Sequence, residues 1–254
     1  MRIINSDLSK MFLLSVSLFL LLIKNDRGGH FHIHTNTSHI KRQEVAHPYQ
    51  KFEALKPAKR EHIVMAAMKE FALNGYEKAS TNMITKEAGI SKGSLFAYFN
   101  SKQGLYLFLL EYTAGIIEKI YQEVDMKETD LFNRIRDIGL AKFKIYRKYP
   151  HVFLFLKTVS NEEANEVKNA IDKTGQSQIR EGLGKIYKNI DLEKFRDDID
   201  IQKTINIINW TMLNFAEQQM NNTSSIDDYN MERFTEWDEY ANIMRRCFYK
   251  NMEA

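Results

Sequence analysis

Only one cysteine, Cys247, and three prolines occur in 254 residues. A lone cysteine excludes an intrachain disulfide and fits a reducing, cytoplasmic setting. Beyond Pro57 the only proline is Pro150, and no stretch alternates apolar and polar residues over the roughly four to eight positions of a half-buried strand. Also missing are a glycine-rich phosphate loop, an HExxH pair, a GxSxG elbow and a Cys-His cluster. A chain without strands offers no strand ends for a Rossmann-type site. The expectation is therefore an all-α protein that is not an enzyme and carries no cofactor and no metal.

What is present is helical periodicity. A helix is expected over about 58–74, with Ile63, Ala67 and Phe71 on one face and Gly75 and Tyr76 at its end. Further helices are expected at about 102–124, 130–148, 151–160, 162–189, 192–221 and 226–251, the second and third parted by Pro150. Between these sets, residues 80–102 read STNMITKEAGISKGSLFAYFNSK. Ser80 or Thr81 can cap a short helix, Gly89 can end it in the left-handed conformation, and Ser91 can cap the next. So few residues between two helices force a sharp crossing, the helix-turn-helix geometry that lays its second helix in a DNA major groove.

The whole segment, from Arg60 through Ile63, Ala67, Phe71, Gly75 and Tyr76 to Ser80, Thr81, Ile84, Ala88, Gly89, Ile90, Ser91, Lys92, Gly93, Ser94, Leu95, Tyr98, Phe99, Ser101, Lys102 and Leu105, resembles the N-terminal domain of the TetR/AcrR transcriptional regulators. Two positions depart from that pattern. Phe96 stands where the family usually has a tyrosine whose hydroxyl meets a phosphate, so that contact would pass to Tyr98. Thr85 stands where alanine is more usual, its methyl packing beneath the turn. The resemblance implies nine helices: a three-helix DNA-binding head over 55–101, then a six-helix effector-binding and dimerisation body over 102–254.

Charge sorts accordingly. Residues 50–105 carry nine Lys/Arg against five Asp/Glu, while residues 106–254 carry 21 against 25. Such a difference would be unremarkable alone, and the motif gives it meaning. Ser80, Thr81, Lys92, Gly93, Ser94, Ala97, Tyr98 and Lys102 are the candidate DNA contacts. Lys92, Ser94 and Tyr98 supply donors, Gly93 would let the backbone approach, and Ala97 would meet a thymine methyl. Lys102 opens the next helix, where ammonium and helix N-terminus both favour a phosphate. Leu95 and Phe99 are expected in the core, and Thr81 either caps or contacts a phosphate.

In the body, Ile205, Ile208, Met212, Phe215 and Gln219 recur at threes and fours, as do Trp237, Tyr240, Ala241, Met244 and Phe248. By themselves such stripes read as core. The resemblance instead assigns Ile205, Ile208, Met212, Phe215, Trp237, Tyr240, Met244 and Phe248 to a homodimer interface, and hence implies a palindromic operator. Phe108, Tyr112, Phe143, Tyr146, Phe153, Phe155 and Trp210 are candidates to line a pocket for an apolar or amphipathic small-molecule effector, though most of them also read as ordinary core; Glu111 or Asp137 would neutralise a cationic effector if they point inward, exposure being the favoured reading of both. The implied mechanism is a repressor released when its effector moves the helix that begins near Lys102. Control by a protein partner, by a membrane tether or by no ligand is the alternative.

The first 54 residues fit none of this. Met11–Ile23 is an uncharged apolar run behind Arg2 and Lys10, with the charge order of a secretory signal but no small-x-small cleavage site after it. At 1.5 Å per residue it spans about 20 Å, short of a hydrocarbon core near 30 Å. Three readings stand: a start assigned too far upstream, with the true one near Val45 or Leu55; a membrane tether; or a cleaved or flexible appendage. His30, His32, His34 and His39 lack a Cys or acidic partner and read as a solvated tail. Cys247 is expected as a small buried hydrophobe on the last helix, with a redox-sensing thiol as the other reading.

Overall fold

The computed structural model describes residues 49–159, 161–221 and 232–250. The apolar run Met11–Ile23, the four histidines that follow it and most of the leader lie outside these residues. Among the described residues the chain is all-α. Its helices are α1 (Gln50–Glu53), α2 (Pro57–Lys78), α3 (Thr81–Ala88), α4 (Lys92–Phe99), α5 (Lys102–Gln122), α6 (Leu131–Lys148), α7 (Pro150–Val159), α8 (Asn165–Tyr187), α9 (Ile201–Asn221) and α10 (Glu232–Phe248). None of them is long and apolar enough to cross a membrane.

Helix boundaries follow side-chain chemistry. Pro57 begins α2 with its fixed φ and no N–H to satisfy. Gly75, at φ 66 and ψ 178, breaks the helical path where the periodicity ends. Asp130 caps α6 by accepting from the N–H groups of Phe132 and Asn133 at 3.0 and 3.1 Å. Pro150 separates α6 from α7.

The structure differs from the sequence expectation in three places. Residues 50–53, placed in the leader, form α1 and bury Phe52 in the head. The single helix expected at 162–189 begins only at Asn165, because the Glu162 carboxylate turns back to accept the N–H of Ala164 at 3.0 Å. The helix expected at 192–221 is broken into a 3-10 turn at Leu192–Lys194 and α9. Asp191 caps the first piece and Asp200 the second. Between them Phe195 forms a short antiparallel bridge with Tyr249, tying this loop to the end of α10.

The head closes on Ile63, Ala67, Phe71, Ile84, Ala88, Leu95 and Phe99, all buried. Each large side chain removed from water contributes about 1.5–3 kcal/mol. In the body a buried guanidinium, Arg134, is a polar staple: it donates to the carbonyls of Lys188 at 2.7 Å and Lys185 at 3.2 Å, at the end of α8. It also donates to Met126 at 3.0 Å and to the carbonyl of Glu128 in the loop before α6. A cation at a helix C-terminus faces the negative end of the dipole.

Head and body meet along α2 and α7. Glu162 accepts the N–H of Tyr76 at 2.6 Å, and the Tyr76 hydroxyl donates to Glu166 at 2.5 Å. Thr158 donates to the carbonyl of Ala72 at 3.0 Å. Burial first, then the Glu166 carboxylate, holds the Tyr76 phenol well above its ordinary range. Two carboxylates from the body thus grip the C-terminal end of α2.

Candidate nucleic-acid interface

The short helices α3 and α4 would not persist alone, since eight residues are too few to repay helix nucleation. Tertiary contacts hold α3 at both ends. At its N-terminus the Glu70 carboxylate of α2 accepts the N–H of Ser80 at 2.8 Å, and the Ser80 side chain accepts from Met83 N–H. At its C-terminus the Lys59 ammonium donates to the carbonyls of Ala88 and Gly89, both at 3.0 Å. The anion sits at the positive end of the helix dipole and the cation at the negative end. An exposed ion pair, Lys69 with Glu87 at 3.0 Å, adds little.

Gly89 makes the turn in the left-handed region, φ 59 and ψ 44, where a Cβ would be strained. Ser91 then caps α4 by accepting from Ser94 N–H at 3.0 Å. Asn100 ends α4 at φ 62, and Ser101 caps α5 through Gly104 N–H at 2.9 Å. The joint between α4 and α5 is so close that a Cβ on Gly104 would collide with the carbonyl of Phe99.

The candidate contacts fall into two sets. On α4, Lys92, Gly93 and Ala97 are exposed, and Ser94 and Tyr98 are half-buried. Leu95 and Phe99 face inward. Ser80 caps α3, which releases the half-buried Thr81 from that role. Thr85 is buried, its hydroxyl donating to the carbonyl of Asn82 at 3.0 Å. Two further candidates besides Ser80 have side-chain partners within the chain. Ser94 shares a 2.8 Å hydrogen bond with the Ser91 hydroxyl. Lys102 donates to the carbonyl of Glu77 at 2.9 Å and lies 4.8 Å from the centre of the Tyr76 ring, so its ammonium braces α5 against the end of α2. Lys59 and Glu70, which orient α3, were not singled out in the sequence, because a lone Lys and Glu on a helix look like solvated surface.

Of the candidate pocket residues, Tyr146 packs on Phe153 and Tyr112 on Phe108, while the others meet different partners. Phe108 joins the aromatic cluster of the head, 5.1 Å from Phe99. Phe155 is buried against Phe71 and Tyr106 at the junction of head and body. Tyr146 pairs with Phe153 at 5.4 Å, and Phe143 packs 6.0 Å from Phe234 of α10. Tyr112 is half-buried, 6.3 Å from Phe108. Trp210 is 51 % exposed and lines no interior, because it lies on the outward side of α9. Glu111 is exposed and Asp137 half-buried.

The candidate dimer stripe is also redistributed. Ile205, Ile208, Met212, Trp237 and Met244 are buried within the single chain, where α9 and α10 pack on the body. Phe215 and Phe248 are half-buried, Phe215 lying 5.7 Å from both Trp237 and Tyr240. The outward face carries Ile207, Trp210, Tyr240 and Ile243, each between 42 % and 51 % exposed. Because both helices carry apolar residues on more than one side, spacing alone does not show which stripe faces the protein's own core. Cys247, expected in the interior, is exposed because it falls on the solvent side of α10.

Residues 63–108, from the first turns of α2 into α5, match the family model described as bacterial regulatory proteins, tetR family. A curated relative, the uncharacterized HTH-type transcriptional regulator YxaF of Bacillus subtilis, is 40 % identical over 65 residues, covering 25 % of this chain and 34 % of its own length. The chain thus spans about a third of that relative. A TetR family transcriptional regulator from Chloroflexus aurantiacus superposes over 80 % of this chain and 98 % of its own at a TM-score of 0.56 and 17 % identity. The Bacillus subtilis transcriptional regulator FadR, in complex with stearoyl-CoA, superposes over 72 % of this chain and 96 % of its own at a TM-score of 0.50 and 16 % identity. At such identities the likeness is one of fold. Over residues 63–108 the chain thus matches the tetR family of bacterial regulatory proteins in sequence, and its described helices share the fold of regulators of that family.

Proposed function

We propose that the chain is a sequence-specific DNA-binding transcriptional regulator that works as a homodimer on a palindromic operator. One observation supports this above the others: α3 and α4 are braced from behind by Glu70, Lys59 and the Gly104 joint, while α4 turns Lys92, Gly93 and Ala97 outward. Lys92 would meet phosphate, Gly93 would admit the backbone, and Ala97 would meet a thymine methyl. Tyr98, half-buried, would offer the hydroxyl that Phe96 lacks. Thr81 stands free to reach a phosphate, since Ser80 holds the cap. Ser80, Ser94 and Lys102 would contribute by fixing the ends of these helices and by exchanging their internal partners for phosphate oxygens.

The dimer would form on the outward faces of α9 and α10, through Ile207, Trp210, Tyr240 and Ile243. A two-fold axis there would set the two α4 helices about one DNA turn apart, near 34 Å. Trp210→Glu together with Ile243→Glu should give monomers in analytical ultracentrifugation and abolish binding to a full palindrome. A dimer that survives both changes would remove this face from the interface.

The regulatory mode proposed is repression relieved by an apolar or amphipathic effector held in the body. The stearoyl-CoA bound by the structurally similar FadR supports testing acyl compounds first. Control through a protein partner is the second reading, favoured by Tyr146 and Phe153 packing on each other and Phe155 packing on Phe71 and Tyr106. A footprint on DNA upstream of the protein's own gene, repeated with acyl-CoA compounds, separates the two. Protection lost with one compound supports effector release. Protection that no compound disturbs supports the partner, and the lack of any selected site in a random pool would overturn DNA reading itself.

A further inference from the structure

The helix α1 lies upstream of the stretch matched to the family, yet its Phe52 is only 3 % exposed. Four residues form no stable helix in water, so α1 persists through what it packs against. Phe52 meets the last two residues of the recognition helix, Phe99 at 5.0 Å and Tyr98 at 6.1 Å between ring centres. It also meets Phe108 in the second turn of α5 at 4.9 Å, edge to face. Tyr49 adds a second edge-to-face contact to Phe108 at 4.8 Å. The Arg60 guanidinium donates to the carbonyl of Glu53 at 3.4 Å and ties α1 to α2. One short helix therefore touches the recognition helix, the helix that joins head to body, and α2.

We propose that α1 is a strut of the reading head and that Phe52 is a positioning residue for α4. The inference rests on the DNA-binding reading above. Helix α4 is eight residues long and ends at Asn100, so little of its own structure fixes its angle against α5. The ring cluster adds to the Gly104 joint at the end of α4 away from its Ser91 cap. Phe52 also packs on Tyr98, so it sets where a DNA-facing hydroxyl points without being able to reach DNA itself. Aromatic pairs in such geometry resist sliding because the ring quadrupoles favour edge-to-face contact.

The experiment uses the full chain and a duplex that the wild-type protein selects from a random pool. Phe52→Ala should bind that duplex about tenfold more weakly, as a reading-competent pose becomes a minor population. Binding to random duplex should be unchanged, and so should the salt dependence, because no phosphate contact is lost. A loss of stability alone would not change the ratio of specific to random binding in protein that remains folded. If Phe52→Ala unfolds the head, Phe52→Leu keeps apolar contact without the ring edges and should still lower the specific-to-random ratio about threefold at wild-type helix content. Phe52→Tyr should restore it. A selected duplex bound equally by wild type, Phe52→Ala and Phe52→Leu would overturn the strut alone. Failure of the wild type to select any duplex would overturn the DNA-binding reading and the strut with it.

Discussion

Replacing Glu162 by alanine tests how head and body are joined. Its carboxylate is buried, and it accepts the N–H of Tyr76 at 2.6 Å and the N–H of Ala164 at 3.0 Å, both in buried surroundings. Alanine leaves two buried donors without that acceptor, at about 1–3 kcal/mol each. Water entering the vacated space would offset part of this, so a loss of about 3 kcal/mol is expected. For a folded part of roughly 200 residues, each kcal/mol shifts Tm by about 2–4 °C, giving a fall of about 6–12 °C. Glu162→Gln keeps one acceptor oxygen but turns an NH2 toward the second donor, so its loss should be about half as large. The site-specific assay is hydrogen exchange at the Tyr76 amide, which should lose protection while Ile63 and Phe71 in the same helix keep theirs. A Tm within about 1 °C of wild type, with the Tyr76 amide still protected, would refute the reasoning.

Lys92→Ala should lower the slope of log K against log salt by about 0.9 if the ammonium meets one phosphate, measured by fluorescence anisotropy across a salt series. An unchanged slope would remove Lys92 from that role. Gly93→Ala should raise stability by up to about 1 kcal/mol, since a Cβ there meets nothing nearer than the Ser91 hydroxyl at 3.8 Å, and yet weaken operator binding by blocking backbone approach. Tighter binding alongside higher stability would show that the backbone does not approach DNA there. Lys142 is half-buried in α6, and burial pushes its ammonium down to about 8 from 10.5. The unfolded chain then holds more protons than the folded one between these values, so stability should rise as pH goes from about 8 toward 10, by at most roughly 3 kcal/mol. Urea melts at pH 7.5 and 9.5 should show that rise in wild type and not in Lys142→Met.

Residues 80–102 specify their own caps and turns, though not the persistence of the two short helices between them. Ser80, Gly89, Ser91 and Ser101 act through hydrogen bonds and backbone angles a few residues away, so the caps and turns were legible from order alone. The same holds for the face Ile63, Ala67 and Phe71, because helical spacing fixes which side chains share a side. Features that join distant residues were not legible. The carboxylates at 162 and 166, the Lys59 ammonium over the end of α3 and the Arg134 staple depend on partners between 6 and 90 positions away. The breaks before Asn165 and at Phe195 arise because Glu162, Asp191 and Asp200 take backbone N–H groups that a continuous helix would have hidden. In α9 and α10 apolar residues fall on more than one side of the helix, Ile208 and Met244 on one and Trp210, Tyr240 and Ile243 on another, so periodicity alone did not say which side meets the body. Only the packing of these helices on their own body decided that Ile208 and Met244 face inward while Trp210, Tyr240 and Ile243 face out. The place of Phe52 was settled in the same way: a short segment with no helical signal of its own is held by three aromatic rings, Tyr98, Phe99 and Phe108, that only the folded chain brings to it.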